Sequence, residues 1–154
     1  MTTDNMMDDL VEVLQDLFAD EIYGEPYGEQ RRLKVYKDGL PIEEANDDDI
    51  ESRAPFGIVK FLAEDVDNSI SSSRVAIVLC NRDDAGNYAG ARSLRHQIHL
   101  IKDRFLRHPE FTMYTVQGRM SIVAQDPDAS FPLIYGGIEL TIDGPPTERE
   151  DDFA

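Results

Sequence analysis

The sequence predicts an α+β domain: a single mixed β-sheet packed by two main α-helices. Three observations predict it. Two long segments carry apolar residues at spacings of three and four, the period of a helix with one buried face. Around them lie runs rich in Val, Ile and aromatic residues, bounded by Gly, Pro, Asn and Asp, which is the pattern of strands and turns. The order is helix, two strands, a long strand, helix, hairpin and strand, and it implies one sheet with both helices packed on it.

Each element has its own signature. Met7, Leu10, Leu14, Leu17 and Phe18, flanked by Val11 and Ile22, predict an amphipathic helix from Asp4 to Glu21. Thr3 or Asp4 can cap it, and its early acids suit the positive end of the helix dipole. Gly24, Pro26 and Gly28 end it in a turn. Leu33–Tyr36 reads as a short strand closed by Asp38-Gly39-Leu40-Pro41, and Glu43–Glu51 as a solvated acidic loop. Pro55 leads into a strand from Phe56 to Leu62, with a turn at Glu64–Asn68. Ile70–Asn81 is the longest strand; its Val- and Ile-rich C-terminal half is expected to be buried on both faces.

Asp83-Asp84-Ala85-Gly86-Asn87 breaks that strand. The second helix follows from Tyr88 to Arg107, with Ala91, Leu94, Ile98, Ile101 and Phe105 in one apolar line and Pro109 as its stop. Met113–Val116 and Arg119–Ala124 form a hairpin around Gln117-Gly118, and Leu133–Ile142 is a last strand, bulged at Gly136-Gly137. The 154 residues suit one domain over residues 1–144, with 145–154 a polar, flexible C-terminal tail. A chain of this length buries roughly two-thirds of its unfolded surface, so it needs no disulfide or metal staple. The single Cys80 lies in the apolar run Val75–Cys80 and is expected to be a buried, inert thiol.

Charge narrows the function. Asp and Glu total 31 against 15 Lys and Arg, a formal net of −16. Neutralising phosphate needs a basic surface, so this balance excludes a general nucleic-acid binder and argues against anionic lipid. The acidic N-terminus is unlike a signal peptide and no apolar run reaches membrane-spanning length, which together read as a soluble protein of a reducing compartment. The charge is also segregated. Residues 1–30 hold nine acids and no base, residues 43–52 are −6, residues 88–125 are +4, and residues 126–154 are −7. Such a chain presents unlike surfaces, as head-to-tail contacts require, although acidic ends also serve solubility.

No catalytic or metal-binding signature is present. His96 and His99 stand three apart on the second helix, away from its apolar line, with no third ligand at a suitable spacing; His108 sits at the helix end. Asp47-Asp48-Asp49 and Asp83-Asp84 lack the alternating D-x-D-x-D-G pattern of a calcium loop. Phosphate-binding glycine loops and a nucleophile elbow are absent from the sequence, and Ser71-Ser72-Ser73 has no His at a motif spacing. One feature stands apart. The outer face of the second helix carries Arg92, Arg95, Lys102 and Arg107, with His96 and His99, against only Asp103. A basic stripe on an acidic protein is either a solvated face or an interface for an acidic patch on a neighbouring copy or partner.

Taken in order from Leu10 to Asp143, these segments resemble the tail terminator (tail-completion) proteins of long-tailed bacteriophages. The resemblance rests on the acidic first helix, the turn Gly39-Leu40-Pro41, the Pro-led strand Pro55-Phe56-Gly57-Ile58-Val59-Lys60 and the long strand Ser73–Cys80. It continues through Gly86-Asn87-Tyr88 leading into the second helix, and Phe131-Pro132-Leu133-Ile134-Tyr135-Gly136-Gly137-Ile138 leading into the last strand. The acidic loop and the charged C-terminus match no part of the pattern and inherit nothing from it. The resemblance implies a structural virion protein without catalytic residues, metal or cofactor. It implies a ring, usually of six copies, that caps the tail tube, ends its polymerisation and supplies the head-joining surface. Its partners would be other copies of itself, the tail tube protein and the head-tail connector protein, in a virion tail or neck assembled in the host cytoplasm.

Two expectations follow for residues. The stripe of Arg92, Arg95, Lys102 and Arg107 is expected to meet an acidic patch of a neighbour or of the tube. Asp47, Asp48 and Asp49 are expected to line a pore through which DNA passes without specific binding. The alternatives are another neck, tube or connector component of the particle, an acidic mimic of DNA that inhibits a nuclease, and an enzyme of unrecognised type. A tube subunit needs a long stacking arm, for which only Glu43–Glu51 is a candidate, and the basic helix counts against the mimic.

Overall fold

A computed structural model describes residues 3–21, 23–24, 30–40, 54–83, 88–126, 128–129 and 131–145. It is an α+β fold: one six-stranded mixed sheet, curled into a half-barrel, with two helices packed on it. Helix α1 spans Thr3–Leu17. A small antiparallel ribbon follows, β1 (Tyr23–Gly24) with β2 (Gln30–Arg31); the turn expected through Pro26 and Gly28 lies outside the described residues. The main sheet holds β3 (Lys34–Lys37), β4 (Phe56–Asp67), β5 (Ile70–Arg82), β6 (Glu110–Phe111), β7 (Tyr114–Ala124) and β8 (Leu133–Asp143), in the spatial order β3-β4-β5-β8-β7-β6. Helix α2 spans Ala89–Arg107 between β5 and β6. Only β3 and β4 run parallel; the other pairs are antiparallel.

Helix α1 buries Met6, Met7, Leu10 and Leu14 against the sheet, as its periodicity requires, and Phe18 is buried just past its end. It stops at Leu17 rather than Glu21. Beyond Phe18 the chain offers Ala19, Asp20 and Glu21, and acids oppose the negative end of a helix dipole. The last turn tightens, with Ala19 N–H donating to the Asp16 carbonyl at 3.2 Å, and Arg32 reaches back to the exposed Ala19 carbonyl. The Thr3 hydroxyl does not cap the helix; it donates to Glu64 at 3.4 Å.

Helix α2 buries the whole expected line of Ala91, Leu94, Ile98, Ile101 and Phe105, and Gln97 with it. Tyr88, just outside the helix, has φ 62. Buried Gln97 is matched by buried Asn81 on β5: each side-chain amide donates to the other's carbonyl oxygen at 2.8 Å. This closed pair fixes α2 against the sheet without leaving either amide bare. Phe105 meets Phe111 edge-on and Phe111 lies tilted against Tyr114 at the far end of the helix, with centroids 6.0 and 5.4 Å apart.

Four strand expectations are corrected. The chain from Glu64 to Asp67 is strand, not turn; β4 pairs with β5 as far as Asp67–Ile70, and the reversal uses Asn68, at φ 57, and Ser69. Asn tolerates this left-handed conformation better than most side chains. Gln117-Gly118 is not a hairpin turn but a bulge within continuous β7, between the pairs Val116–Ile142 and Met120–Leu140. The hairpin instead turns at Thr112, φ 48, and Met113, between β6 and β7. Gly136 and Gly137 sit in unbroken register opposite Leu79 and Val78, so β8 is not bulged there. Finally, β5 is buried on both faces only at Leu79, Cys80 and Asn81; from Ser73 to Val78 its exposed or half-buried residues alternate with buried ones.

Candidate assembly surfaces

The helix layer places opposite charge on its two helices. Helix α1 carries Asp4, Asp8, Asp9, Glu12 and Asp16 and no base. Lys37 on β3 neutralises part of this face, lying 3.1 Å from Asp8 and 3.3 Å from Asp4, and the Thr112 hydroxyl donates to Asp9 at 3.0 Å. The Asp8 bond is the main reason that the Lys37 ammonium is held above its ordinary range. Glu12 and Asp16 remain exposed on the outer side of the helix.

On α2, Arg92 and Arg95 are exposed, Lys102 is half-buried, and Arg107 is exposed with its guanidinium 2.9 Å from Asp103. His96 reaches Glu21 at 3.4 Å and His99 is exposed. The stripe is therefore brought together on one helix face, as its spacing predicts. Part of it is already engaged within the chain: Arg107 by Asp103, His96 by Glu21. Arg104 was not in the expected set, and it is directed elsewhere, donating to the carbonyls of His108 and Glu110 at the helix end. Asp47, Asp48 and Asp49, with the rest of the acidic loop and residues 146–154, lie outside the described residues.

The sheet face opposite the helices has no helix on it among the described residues. At one end it carries a small apolar cluster, Ala54, Phe56 and Cys80, with Tyr36, Ile58 and Tyr135 packed around it. A shallow groove of about 360 Å³ runs beside it over Val78, Val123, Tyr135 and Gly137. Further along the face a polar trough is lined by Arg74, Gln117, Arg119 and Glu139, with Arg74 and Glu139 3.7 Å apart.

The sheet also ends unevenly, which the sequence did not reveal. Strand β3 covers β4 only from Phe56 to Val59, so Lys60–Asp67 has no strand on its outer side among the described residues. Strand β6 covers β7 only at Tyr114 and Thr115, and the Val116 N–H is taken by the Pro109 carbonyl at 2.8 Å; among the described residues Gln117–Ala124 then has no strand on its outer side. Both open edges expose large apolar side chains: Phe61 (41%), Leu62 and Val66 on one, Ile122 (48%) and Val123 (68%) on the other.

Among the described residues no group of three His, Cys, Asp or Glu could hold a metal ion, and no helix is long and apolar enough to cross a membrane. Cys80 is fully buried, and burial pushes its thiol up to about 12, a hydrogen bond to Tyr135 pulling the other way. Burial, and then the charge of Glu21, push the Tyr23 phenol up to about 12 as well, with the Gln97 amide pulling the other way. The native thiol is therefore expected to resist a disulfide reagent at pH 8 and to react fully once the chain is unfolded.

The same two groups set an alkaline limit. The folded protein holds both protons up to about pH 12, whereas an unfolded chain releases the thiol proton near pH 9 and the phenol proton near pH 10. Their stabilisation is complete below those values and is lost as pH rises from about 9 to 12; raised Lys37 acts in the same direction. Urea midpoints at pH 8, 10 and 11 should fall steadily, and a midpoint unchanged at pH 11 would contradict the burial of these groups. Comparison of the chain with protein-family models and with curated proteins finds no match.

Proposed function

We propose that this chain is a structural virion protein of a long-tailed bacteriophage, a tail terminator whose ring caps the tail tube, ends its polymerisation and provides the head-joining surface. The reading comes from the ordered resemblance of its segments to that family. The observation that supports it best is the separation of unlike charge on two helices of one layer, acid on α1 and base on α2. A cyclic ring is built from head-to-tail contacts between different patches, and a subunit with one acidic and one basic flank supplies such a pair. The tail tube protein and the head-tail connector protein are the partners of the two ring faces, and DNA passes through the opening without specific binding. The protein assembles in the host cytoplasm and ends in the tail or neck of the virion.

Electron microscopy of particles assembled without this protein tests the reading. Overlong or headless tubes are expected, and normal tails would reject it. The charge contact has its own test. Arg95→Glu with Lys102→Glu should weaken the oligomer seen by native mass spectrometry, and added salt should weaken the unsubstituted protein in the same way. An oligomer indifferent to both would remove the basic stripe from the interface.

A further inference from the structure

We propose that the two open edges of the sheet pair with each other between copies of this chain, β4 of one copy against β7 of the next. The pairing deepens the ring reading and rests on it only for closure; the strand joint itself rests on the edges. The outward-facing backbone donors and acceptors along Lys60–Asp67 and Gln117–Ala124 have no strand partner within the described chain, and such edges with apolar side chains are templates for another strand.

Direction comes first. The steps β4 to β5, β5 to β8 and β8 to β7 are all antiparallel, so β4 and β7 run in opposite senses within one copy. A second copy that continues the sheet in the same orientation presents β7 antiparallel to β4, and the alternation is unbroken across the joint.

Register comes next. The side-chain period of two requires that residues facing the helices pair with residues facing the helices. On β4 these are Phe61 and, beyond the bulge at Leu62, Glu64; on β7 they are Met120 and Ile122. Within one copy Phe61 is level with Met120, through Val75 and Leu140, but at that height Ile122 and Val123 of a neighbour would meet the part of β4 that β3 already covers. A displacement of two residues, roughly 7 Å, keeps the faces matched and moves Ile122 and Val123 clear of β3, leaving only Ala124, the last residue of β7, level with covered Val59. It sets Lys60 opposite Val123, Phe61 opposite Ile122, Ala63 opposite Ser121, Glu64 opposite Met120 and Asp65 opposite Arg119.

The chemistry of that register is complementary. Phe61 and Ile122, both about half exposed, cover each other on the helix side. The Lys60 stem lies along Val123, the most exposed large apolar side chain among the described residues. Asp65 and Arg119 bring opposite charges together on the other face. The surroundings agree in sign. The β4 edge holds three acids, Glu64, Asp65 and Asp67, against Lys60, and Thr3 at the start of acidic α1 bonds to Glu64; the β7 edge holds Arg119 and lies under basic α2. The occupant of each edge is therefore the other edge of a second copy.

Cysteine cross-linking of the full chain tests the joint. In a Cys80→Ala background, Ala63→Cys with Ser121→Cys should give, on oxidation of concentrated protein, a ladder of disulfide-linked multimers ending at one closed size. Each single-cysteine protein should stop at dimer, and the out-of-register pair Ala63→Cys with Val123→Cys should yield at least tenfold less multimer. A matched pair that cross-links no better than the singles overturns the proposal. Phe61→Asp with Ile122→Asp, both on exposed strand positions and checked for folding by circular dichroism, should weaken self-association at least tenfold. A ring that persists unweakened in that variant overturns the strand joint and leaves the ring reading standing. Multimers that cross-link at the matched pair but never close support the joint and overturn the ring.

Discussion

Gly137→Ala is expected to lower the melting temperature by roughly 6–12 °C, for a cost of about 3 kcal/mol or more. A Cβ at this position would lie 2.3 Å from the Ile77 carbonyl oxygen on β5, a contact that no rotamer change relieves because the obstacle is backbone. The β5–β8 ladder would have to open at its centre, beneath α2. Neighbouring Gly136 is almost as confined, with the Leu94 methyl at 2.8 Å and the Val123 carbonyl oxygen at 2.9 Å from its missing Cβ. Gly118 provides the control, because a Cβ there meets nothing within 4 Å. Gly118→Ala should therefore shift the thermal transition by no more than a degree or two. Equal behaviour of the two variants in calorimetry would refute close approach as the reason for glycine at 137.

Gln97→Leu is expected to destabilise the fold by roughly 2–4 kcal/mol, and Asn81→Leu by a similar amount. Each single change strips a buried amide of both partner atoms, leaving its donor and acceptor unsatisfied in the interior. The double variant Asn81→Leu with Gln97→Leu removes both polar groups together and should be less destabilised than the sum of the singles by at least 1 kcal/mol. Denaturant unfolding of the four proteins measures this coupling. Additive losses would show that the amides act as separate packing elements rather than as one closed pair.

The helices were the legible part of this fold, and the physical reason lies in their burial. Met7, Leu10 and Leu14, like Leu94, Ile98, Ile101 and Phe105, face the sheet while the opposite sides of their helices face solvent, so the period of 3.6 is written into the sequence. The tip of the β4–β5 hairpin has no such contrast. From Glu64 to Asp67 every residue is exposed, alternation disappears, and the acidic run reads as a turn. Gln117-Gly118 is ambiguous for another reason, because a bulge and a hairpin ask for the same residues. The basic stripe on α2 was visible from spacing alone, since residues three and four apart share a helix face. The open edges were not visible. They exist because β3 and β6 are four and two residues long beside partners of twelve and eleven, a relation between strands distant in sequence.

The shortness of β3 and β6 has a consequence for how growth could stop. A sheet open at both sides adds subunits without limit along a line, but a curled sheet adds them along an arc. With the pairing proposed here, the angle between the β4 and β7 edges of one half-barrel fixes how many copies bring the arc back to its start. That angle is set by the curl of the sheet and by the bulges at Leu62 and at 117–119, not by the strength of any contact. Counting would then be a matter of curvature: the circle is complete when the last open edge meets the first, and nothing further is left to extend.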